Sequence, residues 1–135
     1  MKDENAILTE NIAAALDRLT SCINAYEAFL VRMTPFRDAA YAYSVRNDHN
    51  PESHEMDVRP RRLAIMKFNG AWRLCHNGYT KDEEDWRPLV DCSIDDRMVA
   101  CSYLGTFREE IVKEKKKLLE KIEAVVNNLS ALSEG

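Results

Sequence analysis

Two stretches of this chain repeat apolar residues at alternating steps of four and three, and that pattern leaves few folds open. From Glu4 to Thr34 the seam reads Leu8, Ile12, Ala15, Leu19, Cys22, Tyr26, Phe29 and Met33, with no internal glycine or proline. From Phe107 to about Leu132 it reads Ile111, Lys115, Leu118, Ile122, Val125, Leu129 and Leu132, with one lysine intruding. Such spacing keeps successive seam residues on one helical face. Both stretches are therefore predicted as amphipathic helices, about 45 and 39 Å long. Leu16, Ile23 and Leu30 add a second stripe beside the first seam, so the apolar face is wider than a two-stranded coiled coil needs. Part of that stripe should stay wet in a single copy. Leu16, Ile23, Leu30 and Lys115 are thus the candidate interface residues, and a homodimer is expected. Lys115 is expected to snorkel, its stem covering apolar surface while its charge stays in water; the alternative is that it fixes register.

Between the seams the pattern changes. Residues 36–45 (FRDAAYAYSV) allow a short helix, since Phe36, Ala40 and Tyr43 share a face. Residues 46–60 are polar, contain Pro51 and lack periodicity, which reads as a loop. Two apolar runs, Leu63–Phe68 and Ala71–His76, flank Asn69-Gly70. That dipeptide is a strong hairpin signal, because a type I′ turn needs positive φ at both central residues. Trp86 to Val90 is a candidate third strand, and Pro88 would confine it to the sheet edge. Ser93-Ile94-Asp95-Asp96 reads as a capped helix start, with Gly105 as the stop of a short helix over 93–104. The predicted architecture is a single α+β domain over 1–135. Its parts are a long helix at 4–34, the 46–60 loop, a hairpin or meander at 62–91, the short helix, and a long helix at 107–132. The two long helices are expected to pack antiparallel, with Leu8 level with Leu132, against a small sheet of two or three antiparallel strands.

A length of 135 residues suffices for one hydrophobic core without metal or disulfide staples. A net charge of −4 argues against a dedicated nucleic-acid binder. No run approaches the roughly 20 apolar residues of a membrane span. The acidic start, Met1-Lys2-Asp3-Glu4-Asn5, does not look like a secretory signal. Cys22, Cys75, Cys92 and Cys101 are irregularly spaced with no CxxC, which suits reduced cysteines in a cytoplasmic protein.

Candidate chemistry is sparse. His49, His54, Cys75 and His76 are the only set resembling metal ligands, yet adjacent strand residues such as Cys75 and His76 point to opposite faces. No glycines of a nucleophile elbow surround Cys75, Cys92 or Cys101, and no glycine-rich phosphate loop is present. Asp91, Asp95 and Asp96 could pair as carboxylates, but acidic residues gather at helix starts through the dipole. Residues 82–85 (DEED) read as a solvated turn. No catalytic residue, metal or cofactor is expected. Charge is nevertheless uneven: from Val58 to Lys117 there are 13 Lys and Arg against 10 Asp and Glu. Arg59, Arg61, Arg62, Lys67 and Arg73 form a candidate basic surface on the hairpin, where Phe68 and Trp72 could stack single-stranded bases.

The order of an apolar strand, a turn, Gly70-Ala71-Trp72-Arg73, a polar loop, Pro88-Leu89, and Arg97 before an amphipathic C-terminal helix resembles small uncharacterised bacterial proteins. The resemblance spans roughly Arg62 to Leu119 and implies a prokaryotic or phage origin without an activity. The function expected from these features is a non-enzymatic protein-binding or regulatory module. A nucleic-acid-associated protein using the basic hairpin is the alternative, and a small hydrolase or metal-binding protein is the third.

Overall fold

The computed structural model describes residues 3–34, 38–43, 60–78 and 85–134. The predicted loop at 46–60 lies outside them except for Pro60, as do Pro35, His49, His54, Arg59 and the acidic residues 82–84.

Helix α1 runs Glu4–Met33. Its start is held by Asp3, whose carboxylate accepts the N–H of Ala6 at 2.7 Å, satisfying one of the donors a helix start leaves open. Its end is closed by Thr34, whose hydroxyl donates to the carbonyl of Leu30 at 3.1 Å. The chain then forms β1 (Ala39–Tyr43), β2 (Arg61–Phe68), β3 (Ala71–Asn77) and β4 (Trp86–Pro88), a sheet in the order β1-β2-β3-β4 with every pair antiparallel. A 3-10 turn (Leu89–Asp91) leads into α2 (Ile94–Cys101) and then α3 (Leu104–Glu134).

The α+β class is as the sequence predicts, with four strands rather than two or three. The additional strand is β1, where a short helix was the expectation. Ala39, Tyr41 and Tyr43 alternate onto the helix-covered face, so the period there is two. The hairpin forms at Asn69-Gly70 with φ of 51° and 86°, both positive. Pro88 stands on the edge strand β4, opposite Cys75. Ser93 caps α2 by accepting the N–H of Asp96 at 3.1 Å. The break between α2 and α3 falls at Ser102-Tyr103, and Gly105 sits inside the first turn of α3 instead of ending a helix.

One sheet face carries Tyr41, Tyr43, Leu63, Ile65, Leu74 and His76, and the helices cover it. Leu30, Ile23, Phe107 and Ile111 are its buried helical partners, and Phe107 stacks on Tyr41 with ring centroids 6.3 Å apart. Glu27 ties α1 to the sheet. Its carboxylate accepts the N–H of Leu74 at 2.8 Å and binds the Arg73 guanidinium at 3.1 Å. Strand β4 pairs only Cys75 to Asn77, so Glu27 satisfies the N–H that β4 is too short to reach.

The expected antiparallel zipper between the long helices is not what the contacts describe. Arg97 of α2 meets Thr20, and further along both segments Arg108 of α3 lies over the Phe29 ring. Leu104 and Gly105 line a hollow with Leu19 and Tyr26, and Ile111 to Leu118 line a cleft with Met33 and Thr34. The contacts climb in the same direction along both chains, so α1 and α3 meet in a parallel sense. The physical cause is topological. A four-stranded antiparallel meander and α2 bring the chain back to the level of Thr20, and α3 starts there already pointing the same way as α1. Only the second half of α1 and the first turns of α3 are buried.

Candidate docking surface and a buried histidine cluster

Because the helices overlap only where they cross, each leaves an arm outside the body. The N-terminal arm of α1 exposes Ile7, Leu8 and Ile12; the C-terminal arm of α3 exposes Leu119, Ile122, Val125, Val126, Leu129 and Leu132. These nine side chains are between 46% and 76% exposed. On α3 they fall on the predicted seam and on the stripe beside it, Leu119 and Val126, which gives a continuous apolar face. Monomeric proteins rarely leave contiguous apolar patches of more than a few hundred Å² open to water.

The candidate interface residues divide. Ile23 and Leu30 are core residues, 2% and 0% exposed, so they are not surface; the part of their stripe that stays accessible is Leu16, which is half-buried. Lys115 is exposed and borders the cleft of about 370 Å³ between α1, β1 and α3, beside Met33, Thr34, Asp38 and Leu118.

The basic residues of the hairpin do not share one face. Arg61 and Lys67 stand on the helix-covered side, and Arg62 and Arg73 on the other. Each has its own intramolecular contact: Arg61 with Asp96 at 3.4 Å, Lys67 over Trp72, Arg62 over Trp86, and Arg73 with Glu27.

The structure also assembles a cluster that the sequence reading did not connect. The Tyr43 hydroxyl lies 2.9 Å from His76 Nε2, and Cys92 Sγ lies 3.8 Å from His76 Nδ1. Tyr103 stacks on Tyr43 with centroids 4.3 Å apart. Tyr43, His76 and Cys92 are all buried. Beside them is a hollow of about 200 Å³ lined by Arg61, Asp85, Arg87, Ser93 and Asp96, in which each arginine is paired with an aspartate. Burial raises the Cys92 thiol to about 11 and lowers His76 below its ordinary value, although Asp96 pulls His76 the other way. The proton therefore stays on sulfur and the imidazole stays neutral, the reverse of the thiolate–imidazolium pair of a nucleophilic cysteine. Assigning Tyr43 to a helix hid the cluster. The pairing of β1 with β2 puts Tyr43 opposite Arg61 and on the same face as His76.

Cys75 and His76 do point to opposite faces of β3. Among the described residues, no three His, Cys, Asp or Glu side chains are placed to hold a metal ion, and no helix is long and apolar enough to cross a membrane. No family model, curated protein or solved structure matches the chain.

Proposed function

We propose that this chain is a non-enzymatic protein-binding or regulatory module of a bacterial or phage cytoplasm, which docks through its helical arms and forms a homodimer. The observation that carries this reading is the arm of α3 beyond Ile111, where every seam residue from Ile122 onward is at least half exposed. A helix that projects from a folded body with a continuous apolar face is built for another helix. Isolated helices gain little from propensity alone and most of their stability comes from packing, so an uncovered arm of this length is marginal in water. The neutral Tyr43–His76–Cys92 cluster supports a structural part for the obvious catalytic candidates. The four free cysteines, Cys22, Cys75, Cys92 and Cys101, suit a reducing compartment.

The double substitution Ile122→Asp, Leu129→Asp tests the reading, because both residues are surface in one copy and neither contributes to its core. Light scattering should give twice the 15.5 kDa chain mass for the wild type and a single-chain mass for the variant. A wild-type mass of one chain would remove the homodimer.

A further inference from the structure

We infer that the two arms pair with each other across a two-fold axis, the α3 arm of one copy lying antiparallel on the α1 arm of its partner, twice per dimer. This rests on the homodimer proposed above and specifies how its surfaces meet.

The directions of the helices make the pairing closed. Since α1 and α3 meet in a parallel sense, the α1 arm leaves the body backwards along the chain and the α3 arm leaves it forwards. The arms therefore lie at opposite ends and do not meet within one copy. Turning a second copy end over end brings its α1 arm to the level of the first copy's α3 arm, running the opposite way. The same operation brings the other two arms together. An isologous dimer of this kind uses both free faces and leaves no open end from which a filament could grow.

The sequence of the arms fits this register. With the four-three seams antiparallel, Leu8 of one copy falls beside Leu129 of the other, Ile12 beside Val125, and Ala15 beside Ile122. The flanking stripe adds Leu16 beside Leu119. The area is also of the right order. Nine exposed side chains at roughly 90 Å² each would bury about 800 Å² per copy, the size of a standard specific interface. Charge does not select the pairing: residues 3–18 carry Asp3, Glu4, Glu10 and Asp17 against Arg18, and the facing residues 119–134 carry Glu120, Glu123 and Glu134 against Lys121. One pair opposes: the seam register puts Arg18 of one copy near Lys121 of the other.

A mixing experiment decides the pairing. Ile12→Lys and Val125→Glu each place a charge in the seam, and each alone should weaken its own dimer by about tenfold or more. Mixed one to one, with one variant carrying a mass tag, the two should form a heterodimer tighter than either homodimer in native mass spectrometry. One of its interfaces then pairs Lys with Glu, and the other remains Ile12 with Val125. Lys121→Glu in an otherwise unchanged chain should tighten the dimer through Arg18. A cooperative thermal melt of each variant alone confirms that the body stays folded, whatever helix content the uncovered arms lose. A dimer that Val125→Glu disrupts and Ile12→Lys leaves intact would mean α3 pairs with α3, overturning the arm exchange while keeping the homodimer. Disruption by both variants without rescue on mixing also overturns the exchange. A monomeric wild type removes the homodimer itself.

Discussion

Gly70 holds a φ of 86° in the β2–β3 turn, and a Cβ built there would meet no atom within 4 Å. A substitution at Gly70 is therefore strained by backbone conformation alone, with no steric clash mixed in. Gly70→Val should destabilise the fold by about 1–3 kcal/mol, because a β-branched residue strongly disfavours positive φ. A thermal melt identical to wild type would contradict the turn. The buried titratable groups give a second residue-scale expectation. His76 is lowered by burial from 6.5 and so remains neutral in the folded chain, whereas an unfolded histidine takes up a proton. Its contribution to stability is complete above pH 6.5 and is lost as pH falls below that value. Cys75 and Cys92 are raised by burial from 9.0 to about 11, and Tyr43 moves the same way. The contribution of the two thiols is complete below pH 9 and is lost as pH rises toward 11. Urea midpoints should therefore form a plateau between about pH 7 and 9, falling on both sides. A midpoint that holds constant from pH 9 to 11 would contradict the burial of the thiols.

At the scale of elements, the features that were legible in the sequence are those written in local chemistry. The Asn69-Gly70 turn and the Ser93 cap each follow from two to four neighbouring residues, the run from Glu4 follows from a repeat unbroken by glycine or proline, and all three appear where those residues stand. Strand β1 was not legible in that way. Its Ala-Ala-Tyr-Ala-Tyr run suits either period, and its pairing with β2 decides the matter. Nor was the parallel sense of the long helices, because a heptad seam fixes which residues share a face and says nothing of direction. The same gap separates the candidate interface residues from the apolar side chains that are exposed. Leu16, Ile23 and Leu30 form one stripe in sequence, yet the sheet covers only the part that reaches it. Glu27 is the residue that aligns α1 on that sheet. Glu27→Ala should cost about 1–3 kcal/mol, since it leaves the Leu74 N–H without its acceptor and frees Arg73. Differential scanning calorimetry checks this, and an unchanged melting temperature would show that Glu27 does not hold α1 to β3.

The whole molecule is a small body with two helical arms. The core lies between the helix crossing and the sheet, and the polar cluster around His76 closes one of its margins. The core residues all lie outside the arms, yet heptad patterning continues along the arms. On the proposed reading, the pattern serves a surface that forms between chains. Hydrogen exchange followed by mass spectrometry at high and low protein concentration reads both arms of the unmodified chain at once. If the arms dock on a second copy, amides of residues 5–16 and 119–132 are protected together at high concentration. Both sets then lose protection together on dilution, while β2 and β3 stay protected throughout. Rapid exchange of both arms at every concentration, or protection that dilution does not change, would contradict a docking surface formed between copies.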